Sequence, residues 1–262
     1  MTSIDDLLCD TQDGVATITM NRPQARNSLT PEYLKKLIAA VEQCDADDNV
    51  RVLVLRGAGT AFSSGADMSF LEDLTRMTPD EIRRTVYSTF QGATRALRLC
   101  GKPVVAAVNG PAIGAGCELA VACDFRVASR EAVFCESWVD LGIMPPLGGL
   151  YLLPRLIGLE RATDMAMRAT RISGAEAKAI GLATEVADPE AFDEAVRVFA
   201  AGLAARSRHA LRTIKVALRR GLESSMANEW EFNIQAQSLL LAGEDFATAV
   251  AAIRERRAPV FK

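Results

Sequence analysis

A chain of 262 residues, 49% hydrophobic and 24% charged, has the make-up of a globular protein large enough to bury its own core without disulfides or metal. Its 30 Lys and Arg against 33 Asp and Glu leave a net charge of −3, which excludes the basic footprint of a phosphate-backbone binder. Apolar runs such as Val104–Val108 fall far short of the ~18–20 residues of a membrane span, and the acidic residues 1–10 carry no secretion signal.

Residues 14–20 alternate and are rich in β-branched side chains, which predicts a strand. Thr30-Pro31-Glu32 supplies an N-cap and a first-turn proline, and Leu34, Leu37, Ile38 and Val41 follow at the spacing of one buried helix face. Residues 51–56 form a short apolar run closed by Gly57 and Gly59, a buried strand. Thr78-Pro79-Asp80-Glu81 is a capping box that opens one long helix to Leu99, with Ile82, Val86, Phe90, Ala93 and Leu97 on one side. Val104–Val108 is another buried strand, closed by Asn109-Gly110-Pro111, and a short helix over 117–123 comes next. Residues 125–128 and 133–135 look strand-like. From Pro189 the pattern is helix after helix, ending in 244–257, with no internal repeat. Strands alternating with helices argue for an α/β core over 1–190, followed by a helical region over 191–262. Six cysteines without a C-x-x-C pair, beside a single histidine, make a zinc site improbable and fit reduced thiols in the cytoplasm.

Two segments are suited to chemistry. Ala61-Phe62-Ser63-Ser64-Gly65-Ala66-Asp67-Met68 comes soon after the strand at 51–56, and Asn109-Gly110-Pro111-Ala112-Ile113-Gly114-Ala115-Gly116-Cys117-Glu118 directly after Val104–Val108. Strand ends of this kind are where α/β proteins place ligands, and small residues let a ligand approach the backbone amides. The second segment opens a helix, so the N–H groups of Ala115 and Gly116 are unpaired donors reinforced by the helix dipole. A developing anion is stabilised there, with Glu118 in the first turn. The same glycines also fit plain strand–helix packing, and the dipole alone favours a first-turn glutamate, so spacing leaves both readings open. The pattern is neither a G-x-G-x-x-G nor a phosphate-loop fingerprint, and there is no G-x-S-x-G elbow. His209, among Arg206, Arg208 and Arg212, reads as a surface helix residue rather than a triad member.

Taken with Asn21-Arg22-Pro23, Asn27-Ser28-Leu29, Leu141-Gly142-Ile143, Pro145, Gly148-Gly149 and the terminal Arg256-Arg257-Ala258-Pro259-Val260-Phe261-Lys262, these segments resemble the enoyl-CoA hydratase/isomerase (crotonase) family over nearly the whole chain. The resemblance implies a ββα spiral core that binds acyl-CoA and a C-terminal helical trimerisation region, giving a homotrimer or homohexamer. It implies acyl-CoA thioester substrates, with coenzyme A as part of the substrate and no separate cofactor or metal. The thioester oxygen would lie between the N–H groups of Ala66 and Ala115, with Glu118 activating water. Ala25, Ala61, Ser64, Asp67, Met68, Ser69, Gly114 and Trp138 would contact the acyl-CoA, and Phe261 and Lys262 would close over the CoA of a neighbouring subunit, a frayed terminus being the other reading.

The sequence departs from the family pattern at one position. The second glutamate of family hydratases falls in a Phe-Gly-x-Pro-Glu stretch, which aligns with Phe134-Cys135-Glu136-Ser137-Trp138. Trp138 stands where the glutamate belongs, and an indole donates a hydrogen bond but shuttles no proton. Eight residues on, where isomerases keep a carboxylate, stands Pro146, which also disfavours aryl dehalogenation. Glu136 and Asp140 flank Trp138; either is a candidate to stand in for the missing acid, and both read first as solvated or structural side chains. Trp138 itself reads as a filler of the acyl pocket. Asp67 reads as a support for the turn that presents Ala66. Met68, Phe70, Leu71, Leu74 and Tyr87 are candidates for the acyl tunnel, and Phe90 for the core. The leading expectation is hydration or dehydration of a 2-enoyl-CoA. A double-bond isomerase and a non-catalytic acyl-CoA-binding oligomer are the alternatives, and RNA binding is set aside on charge.

Overall fold

In a computed structural model, which describes residues 6–261, the chain starts with a hairpin absent from the expectations above. Strand β1 (Leu7–Gln12) turns through Asp13 and Gly14, at φ 50° and 77°, into β2 (Val15–Met20). Asp-Gly is a favoured two-residue hairpin turn, and Gln12 pairs with Val15 across it. β1 is an edge strand exposed from Leu8 onward, so no apolar alternation marks it. Helix α1 (Pro31–Ala46) is capped by Thr30, whose hydroxyl accepts from Tyr33 N at 3.2 Å.

After β3 (Val52–Gly57) come α2 (Met68–Leu74), α3 (Pro79–Ser88) and α4 (Phe90–Leu99). The Thr78/Glu81 capping box forms as expected, but the long helix is broken at Thr89 (φ −109°, ψ −69°). The break separates α4, which buries Phe90, Ala93 and Leu97, from α3, which buries nothing fully. Strands β4 (Val104–Val108) and β5 (Pro111–Ile113) then lead into α5 (Ala115–Ala122), followed by β6 (Phe125–Ser129) and β7 (Val133–Cys135). The remaining elements are α6 (Gly149–Ile157), α7 (Leu159–Arg168), β8 (Ile172–Ser173), α8 (Gly174–Ala179), β9 (Glu185–Ala187), α9 (Phe192–Ala204), α10 (Arg208–Gly221), α11 (Met226–Leu241) and α12 (Glu244–Arg254).

Successive turns of the chain put β4 and β6 in a six-stranded sheet, order β1-β2-β3-β4-β6-β9, and β5 and β7 in a three-stranded one, order β5-β7-β8. The large sheet is parallel beyond the first hairpin. Both of its faces are covered, which is why its central strands read as continuous apolar runs. Leu53, Leu55, Val104, Ala106 and Val108 pack in the cluster that holds α1, α4 and α5, while Val52, Val54, Val105, Ala107 and Val127 pack against Phe192, Val196 and Ala200 of α9. The chain after residue 190 is helical as expected, yet its first helix covers the sheet instead of standing apart from the core. α10 is tied on by Lys215, which reaches Asp124 at 2.6 Å and Lys102 O at 2.9 Å. The outer helices leave large apolar side chains in the open, Trp230 and Leu218 at 69% and Leu239 at 78%.

One buried cation orients the helix that matters most. Arg126, 3% exposed, donates to Cys123 O at 2.9 Å and Ala120 O at 3.3 Å, covering the last carbonyls of α5. The opposite end of α5, with its free N–H groups, faces the two small-residue segments.

Candidate active site

The two segments meet. Ser63 bridges Ala112 in parallel, with Ser63 N donating to Pro111 O and Ile113 N to Ser63 O, both at 3.0 Å. Gly116 permits the approach, because a Cβ there would lie 2.5 Å from Ser63 O. Gly65 adopts φ 91°, and a Cβ on it would lie 2.7 Å from Ile113 O and 3.6 Å from Ala115 N. The turn presenting Ala66 therefore rests directly on the start of α5. Leu29 holds that turn from its far side, donating to Gly65 O at 2.8 Å and accepting from Asp67 N at 2.9 Å. Among the described residues, neither Ala66 N nor Ala115 N donates to a protein acceptor. Gly114, at the start of α5, is fixed by its own N–H on Cys135 O at 2.8 Å.

Side chains brace this arrangement from below. Asn27 is fully buried; its amide donates to Ala58 O at 3.0 Å and Ala61 O at 2.8 Å, and its oxygen accepts from Arg22 N at 2.9 Å. Asp67 caps α2 through Ser69 N at 3.1 Å and accepts from Ser28 Oγ at 2.6 Å. The Ser28 and Ser69 hydroxyls hold its carboxyl below the usual carboxylate range. The turn-supporting geometry expected for Asp67 is present. Ala25 and Ser64 are half-buried along the same rim, Ala61 is buried, and Met68 and Ser69 are exposed.

Glu118 projects from the first turn of α5 and is 1% exposed. Its Oε1 accepts from Leu147 N at 3.0 Å and Gly149 N at 2.7 Å, and Oε2 has no partner among the described residues. Burial pushes its carboxyl up to about 7, against the two amides that pull it down. No motif in the sequence assigns this role to Gly148-Gly149. The signal was there: a Gly-Gly step opening an apolar helix supplies free amides beside small residues.

Of the readings open for Glu136, the structure removes the solvated one. It is 0% exposed and close to Glu118, since a Cβ built on Gly149 would lie 2.9 Å from Glu118 Oε1 and 3.2 Å from Glu136 Oε1. Trp138 Nε1 donates to Glu136 Oε2 at 3.0 Å, while Glu136 Oε1 has no partner among the described residues. β7 ends at Cys135 and the chain coils into a short 3-10 turn (Ser137–Leu141), so Glu136 and Trp138 both turn inward. No periodicity in the sequence marks such an irregular step. Burial first, and Glu118 second, push the Glu136 carboxyl well above its ordinary range. Asp140 is exposed, as expected.

Ala66, Trp138 and Leu147 open onto an apolar cavity of about 830 Å³. Met68, Phe70, Leu71, Leu74 and Tyr87 line it as expected, and Pro146 is also on its wall. Phe90, expected in the core, is 3% exposed and on the wall as well, stacked on Phe70 with ring centroids 5.0 Å apart. Phe261 is not brought to this site: its carbonyl accepts from Arg51 at 3.3 Å, before the start of β3, whereas the site follows the ends of β3 and β4. Lys262 and the first five residues lie outside the described residues. His209 is exposed on α10. Among the described residues there is no cluster of three or more His, Cys, Asp or Glu arranged to hold a metal, and no helix is long and apolar enough to cross a membrane.

Comparison with known proteins gives a consistent picture. Residues 10–262 match the family model described as enoyl-CoA hydratase/isomerase. The crotonyl-CoA hydratase of Syntrophomonas wolfei is 33% identical over 254 residues, 97% of this chain and 96% of that protein. The peroxisomal Delta(3,5)-Delta(2,4)-dienoyl-CoA isomerase of Arabidopsis thaliana is 33% identical over 262 residues, 96% of this chain and 94% of that protein. The crystal structure of an enoyl-CoA hydratase from Bacillus anthracis superposes with a TM-score of 0.92 at 32% identity, covering 98% of this chain and 99% of that one.

Proposed function

Because the chain belongs to the enoyl-CoA hydratase/isomerase family, enzymes that share the crotonase fold and act on acyl-CoA thioesters, we propose that it forms and consumes a thioester enolate while adding water to, or removing it from, a 2-enoyl-CoA. The observation that carries this reading is a pair of neighbouring main-chain amides, Ala66 N–H and Ala115 N–H, without protein acceptors beside an apolar cavity and a buried carboxylate. A thioester oxygen seated between them gains negative charge as the enolate forms, and one such donor is worth ~3–4 kcal/mol in the transition state. The N-terminus of α5 adds its positive potential at the same point.

Glu118 is the base. Ionised, with Oε1 fixed by two amides, it offers Oε2 to a water molecule. That water loses a proton to Glu118 as its oxygen bonds to the β-carbon, and the π pair moves onto the thioester as the enolate. Protonation of the α-carbon completes the addition. Coenzyme A enters as part of the substrate, and no further cofactor is needed. Ala25, Ala61, Ser64, Met68 and Ser69 are assigned to the CoA chain by this reading, and the size and apolar walls of the cavity, with Met68 on its lining, favour a long or bulky acyl group. The exposed apolar side chains of α10–α12 support assembly as a homotrimer or homohexamer, with Phe261 and Lys262 serving a neighbouring subunit's CoA.

Double-bond isomerisation with Glu118 as a single shuttling carboxylate is the second reading, since it moves one proton between carbons and needs no activated water. A panel of enoyl-CoA thioesters incubated in D₂O and read by mass spectrometry separates the two. Gain of water supports the hydratase, and deuterium incorporation without water gain supports the isomerase. Absence of any reaction removes both and leaves a binding protein.

A further inference from the structure

Two buried carboxyls packed against a common point, each with an oxygen lacking a partner, are unlike a pair of free carboxylates: one of them must carry a proton. Glu118 Oε1 and Glu136 Oε1 both pack against the same point above Gly149, and each carboxyl keeps one oxygen, Glu118 Oε2 and Glu136 Oε1, without a partner among the described residues. Two negative charges so placed in a dry interior cannot coexist at neutral pH. The remaining contacts divide the roles. Glu118 accepts two backbone N–H bonds along the start of α6, while Glu136 has the indole N–H and the weaker thiol donor of Cys117 and faces the charge of Glu118. The titratable groups around Glu136 are Glu118 and Cys117 on α5 and Cys135 on β7, and α6 meets the pair with the Gly149 backbone.

We infer that Glu118 and Glu136 form one acid–base unit that holds a single proton, with Glu136 as the proton-storing partner and Trp138 fixing it in place. The inference rests on the enolate reading above and supplies what the sequence lacks at Trp138. The unit starts with one proton on Glu136. It holds two once Glu118 has taken one from water, and returns to one when Glu118 passes that proton to the α-carbon. Base and acid are thus present together, and charge and protons balance over the turnover. Neither carboxyl lines the large apolar cavity, and the geometry brings Glu136 to Glu118 and the Gly149 backbone; acting through Glu118, it is a positioning residue rather than a catalytic one.

The test is Glu136→Gln in the full-length protein. Infrared spectra at about pH 8 are expected to contain the C=O band of one buried, un-ionised acid in the parent and to lose it in E136Q. The pH profile of kcat/KM is expected to be bell-shaped in the parent, falling at alkaline pH as the unit loses its last proton. In E136Q that alkaline limb should vanish and kcat should drop about 10²-fold or more, with affinity for a saturated acyl-CoA unchanged. A parent without the acid band, a band that survives E136Q, or unchanged turnover with both limbs intact overturns the inference. If E136Q does not fold, Trp138→Phe removes the donor to the same oxygen; the acid band should then shift, and an unmoved band overturns the inference. If the parent turns over no CoA ester, the enolate reading fails while the infrared band still decides whether the pair exists.

Discussion

Replacing Gly149 by Ala moves the base without changing any titratable group. Gly149 opens α6 and does not adopt a positive φ, so alanine suits its backbone. The added methyl would lie 2.9 Å from Glu118 Oε1, 3.3 Å from Glu118 Cγ and 3.2 Å from Glu136 Oε1. Ordinary contact needs about 3.5 Å, so the carboxylate must retreat by roughly half an ångström and stretch its 2.7 Å bond to Gly149 N. Overpacking costs about 1–3 kcal/mol, and alanine's helix preference over glycine returns about 1, leaving a folded protein weaker by about 0–2 kcal/mol. Misplacing a catalytic group on this scale costs up to about 10²-fold in rate. Steady-state kinetics on the best enoyl-CoA of the panel, paired with thermal unfolding, should give a kcat lower by about 10–100-fold and a nearly unchanged KM. A folded G149A with parental kcat would refute the assignment of Glu118 as the positioned base.

Glu118→Gln should abolish turnover and leave CoA-ester affinity intact, as measured by calorimetry; unchanged turnover removes Glu118 from the mechanism. With its carboxyl held at about 7, Glu118 loses its basicity as pH falls, so log kcat/KM should decline below about pH 7. The same raised value makes the folded chain bind more protons than the unfolded one between about pH 4.5 and 7, so this group's contribution to stability falls as pH rises through that window. E118Q should therefore be more stable than the parent at pH 8, by at most about 3 kcal/mol, and gain nothing at pH 4, as followed by urea unfolding. Trp138→Ala should raise kcat/KM for branched or aryl acyl groups relative to straight short chains; an unchanged ranking would show that the indole does not shape the pocket.

The legible parts of the fold were those governed by regular periodicity or by capping chemistry. The Thr30 and Thr78 caps, the buried runs of β3 and β4, and the face of α1 follow from local rules that the tertiary structure does not override. β1 was not legible, because a solvent-exposed edge strand carries no apolar alternation and only its Asp13-Gly14 turn announces it. The break at Thr89 was equally hidden, since the helical pattern of Ile82, Val86, Phe90, Ala93 and Leu97 runs through it. In the site, Ala66, Ala115 and Glu118 could be read because small residues and a helix start lie in sequence order after strands. The Glu118–Glu136 pair could not, because it depends on a non-periodic step after β7 and on the approach of Gly149 from a distant segment.

The convergence of Ala66 N–H and Ala115 N–H on one oxygen is tested most directly by isotope-edited infrared spectroscopy of a bound saturated acyl-CoA carrying ¹³C at its thioester carbonyl. Two amide donors on that oxygen require the C=O stretch to move to lower frequency than in water, and to move back in an Ala66→Pro variant that lacks one N–H. A carbonyl band at its aqueous position in the parent complex contradicts the convergence.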